Sequence, residues 1–400
     1  MTDSLAGAAA PLWRREPYRV LFPLGLLLSW AGVLHWLLHA AGLLADYRPV
    51  FHAIVQIQGF LMSFAVGFLF TAIPRRTGTP PPAAWQMALG TAAPIGTVVA
   101  AWFEYWALSQ AFWLALAVTL IIFAARRFTH AGARRPPNSF LWIPLALLMG
   151  VSGSLLTAAP GLMGTAGAWL HDLGRLLLLQ GLFLGLVLGV GGMVIPLITR
   201  GQAPPDAGDT AADQAARFGH LAAAALLVLS FWLENSGWPR AGPGLRCIVV
   251  LAVLLRGAGI RLLPGVPGWH RRLVWLSAWM IPAGYAVAAL WPLQRLAGLH
   301  VVFIGGFTLM TLSVALHVTL SHGGRLRLVT GRPWQVPVYG GLILLAMAAR
   351  ALVEFDAARF YLWLGVSAAL FLIATLFWSS LTLPHLEDAD GELLLPRGFA

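Results

Sequence analysis

Five histidines stand within or beside long apolar runs: His35 and His39, four residues apart, then His52, His171 and His300. Neutral imidazole ligates haem iron and copper, and it can also relay protons. An ionisable side chain is costly inside lipid, so one found there is a functional candidate. The i, i+4 spacing puts His35 and His39 on one helix face, where both could clasp one metal. His52, His171 and His300 come from separate runs, as ligands of a cofactor held in a helix bundle do. Arg175, four residues after His171, is expected to share its face and to pair with an anionic group such as a haem propionate. Gln56, one turn beyond His52, adds a polar neighbour. His317 lies near the far end of the run that His300 opens, and is a candidate second-site ligand or a snorkelling residue.

The elements that must position these residues follow from composition. Of 400 residues, 59% are hydrophobic and only 10% charged, against about a quarter charged in a soluble domain. Continuous runs of about 20 apolar residues are the signature of helical membrane spans. The expected fold is therefore all-α and polytopic, with twelve spans near 20–44, 52–73, 86–105, 108–125, 139–159, 172–198, 217–235, 246–263, 272–292, 299–321, 336–354 and 359–383. Pro- and Arg-rich joins such as Pro74 to Pro82, Arg134 to Asn138 and Pro204-Pro205-Asp206 separate them. We expect one membrane domain, 20–383, between a cytoplasmic lead, 1–19, and a cytoplasmic tail, 384–400. The lead, with Arg14, Arg15 and Arg19, does not read as a cleavable signal peptide.

Every one of the 26 basic residues is Arg. With the N-terminus inside, only Arg48, Arg175, Arg240, Arg246, Arg295, Arg350 and Arg359 fall outside, leaving 19 of 26 on the inner side. That asymmetry supports an even number of spans with both termini in the cytoplasm. It also accounts for the net charge of +11 without a nucleic-acid partner. One cysteine, Cys247, excludes an internal disulfide, a four-cysteine zinc site and a cluster held by this chain alone; no Cys-x-x-Cys-His is present, which excludes covalent c-type haem.

On this topology the five histidines reach a similar depth near the outer face. The sixth and tenth spans resemble the second: His52 and His300 are each followed ten residues later by Met62 and Met310, and the three histidines are 119 and 129 residues apart. Chance similarity among apolar helices accounts for this equally well. A proton or ion pathway is the competing use of the histidines, but the acids within spans, Glu104, Glu234 and Glu354, sit near outer ends, whereas proton relays favour acids at mid-membrane. His130, His220, His270, His322 and His385 read as inner surface residues.

Several stretches resemble the NnrS family. They are Phe51-His52-Ala53 through Gly59-Phe60; Gly67 to Pro74 with Thr77-Gly78; Gly191-Gly192-Met193-Val194-Ile195-Pro196 with Thr199-Arg200; and His300, Gly305-Gly306 and Val318 to Arg325. Family positions carry over at His52, His300, His322 and Arg325. This chain has Ile54, Val55, Met193 and His317 where the family has His, Glu, Arg and Arg. The resemblance implies an integral membrane protein of the bacterial inner (cytoplasmic) membrane that holds haem, here expected as haem b, with copper as a second metal. It implies a role in the nitric oxide response or detoxification, with nitric oxide or another diatomic as ligand. A redox activity on nitric oxide and a quinol electron donor are compatible with it. Other readings stay open: a quinone-interacting subunit using Gln56 or Gln180, a small-molecule transporter without its own haem, or an assembly or scaffold subunit of a respiratory complex.

Overall fold

In hydrocarbon a chain must satisfy its own backbone hydrogen bonds, and long apolar runs do so as helices. The computed structural model describes residues 10–386 except 131 and 159, and not the side chains of 160–166. The first nine residues and the tail from 387, including Arg397 counted on the inner side, lie outside the described residues. Among those described there is no strand. Twelve long helices follow one another: α1 (Tyr18–Ala40), α2 (Pro49–Thr77), α3 (Ala84–Trp102), α4 (Trp106–Phe128), α5 (Asn138–Leu156), α6 (Gly167–Arg200), α7 (Ala211–Asn235), α8 (Ala241–Ala258), α9 (Trp269–Leu290), α10 (Pro292–His322), α11 (Gln335–Leu352) and α12 (Ala357–His385). Eleven are long and apolar enough to cross a membrane; α3, rich in Ala, Gly and Thr, is the less hydropathic twelfth. The protein is an all-α, multi-pass membrane protein. Bulky apolar side chains such as Leu27, Val99, Leu155, Ile248 and Leu345 are exposed on its perimeter, where lipid rather than water is the solvent.

The helices form three sets of four. Within each set the first packs on the second (α1 on α2, α5 on α6, α9 on α10) and the third on the fourth (α3 on α4, α7 on α8, α11 on α12). The second helix of each set lies at the centre: 78%, 89% and 67% of the apolar cores of α2, α6 and α10 are buried, against 22% for α7. Each of these three helices opens into a π-helical stretch soon after its histidine, at Val55–Leu61, Leu177–Gly181 and Val301–Thr308. Such stretches have poorer hydrogen-bond geometry than an α-helix and occur frequently at functional sites. Each helix ends close to a glycine in the left-handed region, Gly78, Gly201 or Gly324. A further π-helical stretch, Leu254–Ala258, closes α8.

Small residues let the paired helices approach closely. A Cβ on Gly153 of α5 would lie 2.7 Å from the Gly174 carbonyl oxygen of α6, and one on Gly284 of α9 would lie 2.5 Å from that of Gly298 of α10. Gly32 of α1 instead makes room for the side chains of Val55 and Gln56 of α2. Along the centre, Phe64, Leu69, Phe183, Val187, Met310 and Val314 line an apolar cavity of about 90 Å³ between α2, α6 and α10, on the inner side of the π-helical stretches.

Candidate metal centre

The histidines divide by what holds them. His52 donates from Nδ1 to the carbonyl of Gly32 on α1 at 2.7 Å. His171 donates from Nδ1 to the carbonyl of Thr157 at 2.8 Å, His300 to that of Leu296 at 2.7 Å, and His39 to that of Leu44 at 2.9 Å. A carbonyl only accepts, so each bond places the proton on Nδ1 and leaves Nε2 with its lone pair. Metal-binding histidines are oriented by this kind of bond. The Nε2 of His39 is buried and has no partner among the described residues.

His35 is different. It is 4% exposed, and neither ring nitrogen has a hydrogen-bond partner among the described residues. The carbonyls of Gly32, Ala31 and Arg48 are nearby, but none makes a hydrogen bond with the ring. Burying two unsatisfied nitrogens is unfavourable, and such groups call for an explanation. The His35 and His52 rings have centroids 6.0 Å apart, with Trp36 and Phe51 packed around them. Two imidazoles bound to one metal through bonds of about 2.0–2.1 Å have centroids roughly 5–6.5 Å apart. The separation of this pair lies within that range. No three His, Cys, Asp or Glu side chains among the described residues are grouped to hold a metal, so the remaining positions would fall to a macrocycle or a small ligand.

His300 is within electrostatic reach of His52 and so stands at this end of the bundle. The charge of Arg350, on α11, acts on both and on Tyr47. Arg350 pairs with Glu354 at 3.2 Å and is largely buried. Sequence reasoning had placed it only among outer loop arginines; its four-residue spacing from Glu354 was the available signal. His39 packs against Trp36, Tyr47 and Tyr361, so α1 and α12 both border the site.

Other expectations need correction or separation. Arg175 is exposed and pairs with Asp172 at 3.8 Å; the helix turns it outward rather than towards a buried partner. The described contacts of His171 do not reach the His35–His52 pair. Gln56 donates to the carbonyl of Ser29 at 3.1 Å, and Gln180 accepts from Arg246 at 2.8 Å, so both amides expected at a quinone site are already engaged. Arg246 was placed at an outer helix start, but α8 begins at Ala241. This buries Arg246 completely, with Glu234 of α7 at 2.8 Å. Two of the expected surface histidines are also inside. His270 is 1% exposed and hydrogen-bonds ring to ring with His317 at 3.1 Å, while His322 sits against Tyr18, with Arg75 at 3.1 Å from its Nε2.

The family model described as NnrS protein matches residues 11–389 of the chain. No curated protein matches it.

Proposed function

The chain belongs to the NnrS family, and from that premise we propose that it holds haem b, with copper as a possible second metal, at the outer end of its helix bundle and serves the nitric oxide response from the bacterial inner membrane. The observation that carries this reading is His35: a buried imidazole with both nitrogens unsatisfied, beside a second imidazole whose Nε2 lone pair is kept free. His35 and His52 are the first ligand assignments; His300 and His39 follow, and His171 and His317 belong to other parts of the fold.

Bound haem would supply a redox-active iron, which would take a diatomic ligand in place of one of the two imidazoles. The chain's own residues do the rest. Gly32 orients His52 through its carbonyl. Arg350 offers a positive charge for an anionic substituent such as a propionate. Trp36 and Phe51 pack around the rings and limit water. The apolar cavity between α2, α6 and α10 suits a small neutral molecule moving between lipid and the bundle. Nitric oxide is such a molecule, and an electron donor such as a quinol is compatible with a membrane setting.

The test is the ultraviolet–visible spectrum of the detergent-purified protein, oxidised and dithionite-reduced, with metal analysis on the same sample. A Soret band that shifts on reduction and again with nitric oxide is the expected result. Absence of both band and metal, in cells supplied with haem and copper, would overturn the assignment.

A further inference from the structure

Between Glu234 and Glu354 the chain has no Asp or Glu, while eleven arginines fall in that interval. Two of them build a pocket. Pro264, Gly265, Pro267, Trp269, Arg272 and Arg332 line a mainly polar recess of about 200 Å³ at the start of α9. The guanidinium carbons of Arg272 and Arg332 lie 5.0 and 5.8 Å from the centre of the Trp269 ring. Neither arginine has an acidic partner among the described residues.

The recess is built rather than incidental. The backbone N–H groups of Gly265 and Val266 donate to the carbonyl of Thr199 at 2.9 and 3.2 Å, which pins the loop to the end of α6. Gly268 has a φ of 137° and backs onto the carbonyl of Val329, where a Cβ would come within 2.9 Å. The absence of a Cβ lets the loop lie close against the short helix Leu326–Thr330, and Arg332, just beyond that helix, lines the recess with Arg272. Trp269 opens a membrane helix, the level at which tryptophan meets lipid headgroups.

We propose that this pocket binds a phosphate group, with an anionic lipid headgroup as its source in the membrane. Two guanidiniums with no acidic partner among the described residues give the charge and the donor geometry that phosphate oxygens take. The pocket opens beside Trp269 at the first turn of α9, and arginines near a membrane surface attract anionic lipid. The pocket shares no lining residue with the His35–His52 pair, so haem held there has no bearing on it.

Phosphatidylglycerol, phosphatidylcholine and inorganic phosphate are titrated separately into the full-length protein in detergent, with retained lipid read by native mass spectrometry and stabilisation by thermal unfolding. Phosphatidylglycerol should bind and stabilise, and phosphatidylcholine much less. The double variant Arg272→Gln/Arg332→Gln should weaken phosphatidylglycerol binding on the order of tenfold. Arg261→Gln, an exposed arginine of the same loop outside the pocket, should bind as the wild type does. Binding of inorganic phosphate that is lost in the double variant also supports the site, with a soluble source. Equal binding by the double variant and the wild type, or an equal loss in Arg261→Gln, would overturn it.

Discussion

The His35 and His52 rings lie with centroids 6.0 Å apart, one on α1 and one on α2, and the carbonyl of Gly32 that accepts from His52 lies close to His35 as well. One backbone group thus orients one imidazole while the other has no partner. Replacing either histidine by alanine should lower the haem or metal content per protein. The double variant should lose no more than the worse single, because residues serving one centre are not additive. His171→Ala should retain more. Full content in His35→Ala, by metal analysis and Soret absorbance, would remove His35 from the site.

Arg350 and Arg175 make opposite predictions. Arg350 is largely buried and its charge acts on His52 and His300, whereas Arg175 is exposed. Arg350→Gln should weaken haem retention on dilution or gel filtration, and Arg175→Gln should leave it unchanged. The reverse pattern would restore the expectation drawn from sequence.

Gly284→Ala forces a methyl to within 2.5 Å of the Gly298 carbonyl and 2.8 Å of the Val302 nitrogen. Both are backbone atoms and cannot rotate away, so α9 and α10 must separate. The expected cost is about 1–3 kcal/mol or more, seen as a lower unfolding temperature in detergent. Gly341→Ala meets nothing within 4 Å and serves as the neutral control.

The ion pairs of Glu234 should not be equal. Arg246 is fully buried, bonded to Glu234, Gln180 and Ser230 and stacked over Phe231. Arg295, at 3.0 Å from the other Glu234 oxygen, is half exposed. Arg246→Ala removes the buried partner of Glu234 Oε2 and of Gln180, leaving Glu234 only the half-exposed Arg295, and should cost roughly 3–5 kcal/mol. Arg295→Ala should cost about 1 kcal/mol or less. Similar losses in the two variants, measured by denaturant unfolding in detergent, would contradict this.

Glu16 predicts a pH dependence at the inner end of α1. Burial favours its neutral form, but Arg75, Arg19 and His322 outweigh burial and hold its carboxyl below the usual value of 4.5. Because the folded-state value is depressed, the stability it contributes is fully present above the unfolded value and is lost as pH falls through the folded one. The unfolding temperature of the wild type should exceed that of Glu16→Gln near neutral pH, and the gap should narrow below about pH 4.5. A gap that stays constant as the pH falls would rule Glu16 out as its source.

Fold class was legible because it depends on local composition. Apolar runs as long as a bilayer is thick can only be helices, so the all-α membrane fold followed from residues such as those of α4 and α12 with no knowledge of their neighbours. The motifs around His52 and His300 were equally plain in the chain. What the sequence could not decide was which side chains meet. A start at Ala241 rather than Arg246 turns a loop arginine into a buried one. A rotation of α6 leaves Arg175 outside, while Arg350, almost 300 residues from His52, acts on the site. The π-helical stretches of α2, α6 and α10 and the pairing of His270 with His317 likewise depend on packing between helices far apart in the chain. Every span is apolar nearly all round, so periodicity along one helix does not say which face turns inward; only the close approach of its neighbours does.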